Sequence, residues 1–217
     1  MASCQWQLYT GKLYLMLDKY HHGDLRAAVL AASAEVIARD GVDKLSLRSL
    51  AMELGVSHTA PRHHFGDREG LFTALATQGY ELLAEALEDA AADGDFAAVG
   101  VAYVLFAVNH PGHFAVMHRR DLVDGSNVDL QRAQARTAAQ LSAGARTRSG
   151  RSVESVAVAS IAAWSLVHGL ATLEMSGGLE AAGLLQLAGG DLRTIALRAV
   201  QQLFGGASSE PTTRTEH

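Results

Sequence analysis

Residues 46 to 65 constrain this 217-residue chain most tightly. Ser46 is a good N-cap, and Leu47, Leu50, Ala51 and Leu54 follow at the i, i+3, i+4, i+7 spacing of one helix face. That leaves room for about two turns before Gly55. After the tight turn Gly55-Val56-Ser57, Ser57 is expected to cap a third short helix running from His58 through Thr59, Ala60, Pro61, Arg62, His63 and His64 to Phe65. Pro61 falls in its first turn, where a missing N–H costs least. Ala51 is small enough to let the two helices approach, and Val56 can plug the gap beneath them. Two short helices joined by a three-residue glycine turn, behind a longer helix, form a helix-turn-helix.

The longer helix lies between Gly23 and Arg39, where Leu25, Ala28, Val29, Ala32, Val36 and Ile37 recur every three or four residues. Gly41 supplies the left-handed residue after it and Val42 the apolar one. Past the short pair, Asp67 caps a long helix with Leu71, Phe72, Leu75, Leu82, Leu83 and Leu87 on its buried side, ending near Asp93-Gly94-Asp95. Residues 96–109 are apolar almost all round, which predicts a helix inside a bundle. Pro111 opens a short helix through His118, and Asp129 to about Ala145 forms another, with its turn around 147–151. In the stretch from Ser152 to Met175, one stripe carries Trp164 and His168 and the other Leu166, Leu170 and Leu173, which predicts burial of both faces. Glycines 177, 178, 183, 189 and 190 bracket a short helical piece, and Asp191 caps the last helix.

With 3 Pro, 6% aromatics and no segment of strand period, the fold class is all-α: an N-terminal three-helix helix-turn-helix domain plus a C-terminal helical bundle. The expected division is an arm at 1–18, the DNA-binding unit at 19–66, the ligand-binding and dimerisation unit at 67–204, and a disordered tail at 205–217. Cys4 is the single cysteine, so no intramolecular disulfide forms and burial must hold the fold. The longest apolar run near the N-terminus, Leu13 to Leu17, is too short for a signal or membrane segment, so a soluble cytoplasmic protein without a membrane partner is expected. Met16 leaves the first 15 residues readable as an arm or as a mis-assigned start.

A helix-turn-helix places its second helix in the DNA major groove. His58, Thr59, Arg62 and His63 would face the bases, with Arg62 the best guanine partner; Ser57 stands at the start of that helix. Lys44, Ser46 and Arg48, with His64 and Arg68 beyond the recognition helix, are placed for the phosphate backbone. The net charge of −5 excludes a uniformly basic coat. Residues 19 to 73 nevertheless hold seven basic and seven acidic side chains against 11 and 16 elsewhere, so the acidity lies outside this region. A monomer would bind modestly; two recognition helices one duplex turn apart bind a palindrome, and the long apolar C-terminal helices offer the surface for pairing. A helical hairpin within an ordinary bundle, with solvated Arg62 and histidines, is the competing account of residues 46–64.

In the C-terminal half, any cavity would be lined by Tyr103, Phe106, Phe114, Met117, Trp164, His168 and Met175, with Gly169 admitting a neighbouring helix beside His168. A buried imidazole needs partners, supplied by the core or by a ligand. His110, His113, His118 and His168 leave open a metal-dependent protein or an all-α enzyme, but no cysteine or paired carboxylate accompanies them. No nucleophile constellation, phosphate loop or dinucleotide fingerprint is present, so neither enzyme nor cofactor is expected.

The run from Tyr20 to Leu75, YHHGDLRAAVLAASAEVIARDGVDKLSLRSLAMELGVSHTAPRHHFGDREGLFTAL, resembles the DNA-binding domain of TetR-type transcriptional regulators. The resemblance rests on the glycine closing helix 1, Ser-Leu-Arg opening helix 2, Ala-x-x-x-Gly-Val-Ser through the turn, and His-Phe before a long helix. The runs AYVLFAVNHPGHFAVM (102–117) and WSLVHGL (164–170) resemble the regulatory domain of a subgroup named for its Trp, His and Gly. The chain departs from relatives with Ala-Pro in the third helix by carrying Arg62, where they often have a phosphate-touching Tyr. The resemblance implies that the C-terminal bundle is a regulatory and dimerisation domain. It further implies that the chain is a homodimeric repressor with double-stranded DNA, a palindromic operator, as partner, released by a small-molecule effector that it does not name. The alternative is an effector-independent DNA-binding regulator whose core is filled by side chains.

Overall fold

The structure is a computed structural model that describes residues 25–92, 95–149, 152–189 and 191–204. The expected arm, the tail, Cys4, Gly94 and Gly190 lie outside the described residues. Eleven α-helices and no strand are found among those described. The head holds α1 (Leu25–Asp40), a 3-10 turn at Val42–Lys44, α2 (Leu47–Glu53) and α3 (Ala60–Phe65). The body holds α4 (Arg68–Ala91), α5 (Phe96–Asn109), α6 (Pro111–Met117), α7 (Val128–Ser149), α8 (Val153–Met175), the single turns α9 (Gly178–Ala181) and α10 (Leu184–Leu187), and α11 (Leu192–Phe204).

Three of the expected caps are found, at Ser46, Asp67 and Asp191. Ser46 takes extended dihedrals and its Oγ accepts the Ser49 N–H at 3.1 Å; the side chains of Asp67, Ser152 and Asp191 likewise accept backbone N–H groups of α4, α8 and α11. Gly41 has the positive φ expected (84°) but an extended ψ of 165°, so the chain leaves α1 by a straight step into the 3-10 turn and not through a compact left-handed cap. α7 runs through Ser149, past the turn expected at 147–151: nothing in Ala143-Gly144-Ala145 stops a helix flanked by good helix formers.

Two apolar clusters hold the molecule. Val29, Leu30, Val36, Ile37, Leu50 and Phe65 of the head meet Leu71, Phe72 and Leu75 of α4 and Val116 of α6. In the body α5 is the axis, its Val99, Val101, Tyr103, Val104 and Phe106 buried among α4, α8 and α11. Close crossings occur at glycines. A Cβ at Gly79 would meet Met117 Sδ at 2.7 Å, and one at Gly100 would meet Val200 Cγ2 at 2.8 Å. At Gly112 of α6 an added Cβ would overlap the carbonyl oxygen of Ala34, so the backbones of α6 and α1 touch. Gly169 faces open space instead of the neighbouring helix expected there.

α8 departs from the expected burial of both faces. One face is buried, through Ala163, Val167 and Ala171, but Ile161 is 61% exposed, Leu173 48% and Trp164 43%. This helix is long and apolar enough to cross a membrane by length and composition, yet it packs along α5 and α7. Apolar pattern records that a face avoids water without recording whether its own chain covers it.

Gly112→Ala is expected to destabilise the protein by about 3 kcal/mol, since the overlap is with backbone and no rotamer relieves it. The check is the urea midpoint, which should fall at unchanged slope; an unaltered midpoint would contradict the contact.

Candidate nucleic-acid interface and regulatory core

In α3, Pro61 and Phe65 are buried four residues apart and fix its inward face. Arg62, His63 and His64 consequently point to solvent, and all ten residues named for DNA contact, Lys44, Ser46, Arg48, Ser57, His58, Thr59, Arg62, His63, His64 and Arg68, are exposed. The helix begins two residues later than expected. Pro61 has no N–H for the Ser57 carbonyl, which is taken at 2.9 Å by Ala60 in a tighter turn. Ser57 therefore shapes the turn, its Oγ 2.9 Å from Thr59 Oγ1, and does not cap α3.

Arg48, His58, Arg62 and Arg68 border one cleft of about 600 Å³ with Leu47 and Asp67. Among the described residues the Arg48 and Arg62 guanidiniums have neither an ion pair nor a hydrogen bond, which leaves them free for an external anion. Arg68 is already engaged: its Nη2 donates to the Val42 carbonyl at 2.6 Å and its guanidinium lies 4.9 Å from the Phe72 ring centre. Asp67 accepts the Gly70 N–H. His64 lies within α3 and not beyond it; its ring neighbours Phe65, and it borders a separate polar cleft with Arg26, Glu81 and Asp124.

The body centres on Tyr103, buried in α5. The Trp164 indole N–H donates to the Tyr103 oxygen at 3.1 Å, and that oxygen is 3.0 Å from His168 Nδ1. Since Trp164 can only donate, the network is complete when the Tyr103 hydroxyl donates to Nδ1, which fixes the His168 tautomer by its partners. Phe114 closes the group, 6.0 Å from the Tyr103 ring and 5.4 Å from that of His168. Met117 is buried next to Gly79, its carbonyl accepting the Tyr80 hydroxyl at 2.7 Å. Two of the expected lining residues stand apart: Phe106 stacks on His110 at 4.8 Å, and exposed Met175 lies seven residues past His168, about 10 Å along the helix.

His118, which sequence pattern places only in a metal group, joins this cluster, 4.6 Å from His168 and 5.0 Å from Phe114. Its Nδ1 is buried without a hydrogen bond. Burial first, and His168 second, hold the imidazole down to about 4 against the opposing Phe114 carbonyl. His113, whose Nε2 bonds Gln78 Oε1 at 3.0 Å, is likewise lowered to about 4 by burial and by His110. Among the described residues no three His, Cys, Asp or Glu side chains converge as metal ligands.

Known proteins share both halves of this arrangement. Residues 29–75 match the family model of bacterial regulatory proteins of the tetR family, and residues 96–208 the tetracyclin repressor-like C-terminal domain. The chain belongs to the TetR family. It is 25% identical over 159 residues to the HTH-type transcriptional regulator Rv0681 of Mycobacterium tuberculosis, covering 71% of this chain and 72% of that one. A solved protein from Rhodococcus sp. RHA1 superimposes with a TM-score of 0.69 at 33% identity over 87% of this chain and 97% of the other. The TetR family regulator PfmR of Thermus thermophilus shares the fold, with a TM-score of 0.63 at 20% identity, covering 82% and 98%. As a TetR-family member the chain is a DNA-binding transcription regulator and not an enzyme.

The buried histidines give this TetR-family fold a pH signature. Unfolded histidine protonates near 6.5. Between there and about 4 the unfolded chain binds more protons than the folded one, so stability is full above pH 6.5 and falls as pH falls through that window. Each residue contributes on the order of 1.4 kcal/mol per pH unit. Urea midpoints at pH 7 and pH 5 should differ clearly in the parent protein and less in His118→Phe; equal midpoints would contradict the burial of both rings. Tyr103→Phe leaves the Trp164 N–H and His168 Nδ1 without partners and is expected to cost about 2 kcal/mol. Thermal unfolding measures the loss, and an unshifted melting temperature would remove Tyr103 from the centre of the network.

Proposed function

We propose that this TetR-family chain is a homodimeric repressor that binds a palindromic operator and is released by a small-molecule effector. The observation that carries the reading is the pairing, in one chain, of an exposed recognition helix bearing uncommitted cations with an apolar helix face that the chain itself leaves uncovered.

Arg48 and Arg62, with His58, meet the operator from one cleft, His63 and Thr59 reach base edges, and Lys44, Ser46, Ser57, His64 and Arg68 border the contact with the backbone. The pairing surface is the outer face of α8, around Ile161, Trp164 and Leu173, flanked by α11. Covering it with a second copy removes apolar area from water and sets two heads at a fixed spacing. Residues 19–66 form the reading head and 67–204 the responsive body of a cytoplasmic regulator. Trp164, His168 and Gly169 support membership of the subgroup named for those residues, with Tyr103, Phe114, Met117 and His118 beside Trp164 and His168 as the sensing core.

An effector acts by its differential affinity for two arrangements of the dimer. α6 is the element through which the body reaches the head, because Phe114 and Met117 sit in the body cluster while Gly112 abuts Ala34 of α1. A packed backbone contact passes on a displacement that flexible side chains would absorb.

The test combines mobility shifts on a palindrome from the adjacent intergenic DNA with sedimentation. Arg62→Ala and His63→Ala should each weaken operator binding about tenfold or more while leaving the dimer intact. Ile161→Glu should yield monomers that bind at least tenfold more weakly. Unchanged binding in both head variants, or a monomeric parent protein, would defeat the proposal.

A further inference from the structure

We propose that the groove between α4, α5 and α11 binds a linear anionic amphiphile, an acyl chain of about ten carbons ending in a carboxylate. The groove lies apart from the Tyr103 network proposed above as the sensing core, and the inference goes beyond that reading.

The groove is half open to solvent and holds about 580 Å³. Leu82, Ala102, Leu105, Phe106 and Leu197 give it an apolar floor, and Ala86, Ala90 and Ala98, with no bulk beyond Cβ, keep it open. Its two ends differ in charge. α11 runs antiparallel to α5, since Val200 packs at Gly100 and the Phe204 ring lies 6.1 Å from that of Phe96. Arg193, seven residues before Val200, therefore stands level with the C-terminal end of α5, where Asn109 and His110 also border the groove. The Arg193 guanidinium has no ion pair and no hydrogen bond among the described residues. At the opposite end Asp95 caps α5 through the Ala97 N–H at 2.9 Å, and its carboxylate repels an anion. The floor from Ala98 to Leu105 spans about 10 Å, the length of roughly eight methylenes.

An apolar trough with one free guanidinium and a carboxylate at the far end has a direction. The chain lies along the alanine-lined floor and the headgroup takes the bidentate donors of Arg193, with Asn109 and the His110 ring alongside. Burial keeps His110 below the usual imidazole range, so the ring serves as a neutral hydrogen-bonding group and the charge match comes from Arg193. The site also lies where regulation can reach. His110 stacks on Phe106 and immediately precedes α6, whose Gly112 presses on α1.

The full-length protein is titrated by calorimetry with decanoate, decan-1-ol and decyltrimethylammonium. Decanoate should bind, at least tenfold more tightly than the alcohol or the cation. Arg193→Ala should weaken decanoate about tenfold or more and leave decanol unchanged. Ala102→Trp, which fills the trough from a half-buried position, should abolish binding while circular dichroism and operator shifts stay as in the parent. The inference is overturned if the parent does not bind decanoate, if Arg193→Ala or Ala102→Trp binds it normally, or if the cation binds more tightly. It is also overturned if either substitution changes self-association, which would make the groove a seat for a second copy. Operator binding by the unliganded protein is measured separately, so a failure of the regulator reading is distinguishable from a failure of the groove.

Discussion

The contact between Gly112 and the Ala34 carbonyl joins the two halves of this molecule. A backbone crossing of this kind is specific because it has no rotamers, and it fixes the angle at which α1, and with it α2 and α3, leaves the body. The apolar cluster around Leu71, Phe72, Leu75 and Val116 reinforces the joint. Head and body therefore share a core, and the recognition helix inherits its position from α6. A loop of similar length would leave α3 free to swing.

Charge is divided along the same line. The acidic excess belongs to residues outside 19–73, and that segment is neutral overall. Several of the acidic groups are tied locally, as Glu88 is to Arg136 and Asp121 to Arg119. Arg48 and Arg62 are not, and they share a cleft. Specific DNA affinity in a chain of net −5 must come from such local concentration, which makes it sensitive to salt.

Much of the fold was legible in residue order. The helix-turn-helix, the caps at Ser46, Asp67 and Asp191 and the buried character of α5 all follow from side chains that act on their own helix. What escaped depends on partners distant in sequence. The glycine crossings at 79, 100 and 112 read as ordinary small residues, whereas Gly169, singled out for a crossing, faces open space. The uncovered face of α8 looked like core because an apolar stripe does not record whether its own chain covers it. Proline chemistry could have foretold the late start of α3, since Pro61 cannot donate to Ser57. The place of His118 beside His168 could not be foretold, because it follows from how α6 and α8 meet.

The most direct test of the account is hydroxyl-radical footprinting of the bound intergenic DNA. Two heads held rigidly by one paired body should protect two short tracts on the same face of the duplex, their centres about 34 Å apart or a multiple of that. A single tract, or protection spread evenly without a sequence preference, would contradict it.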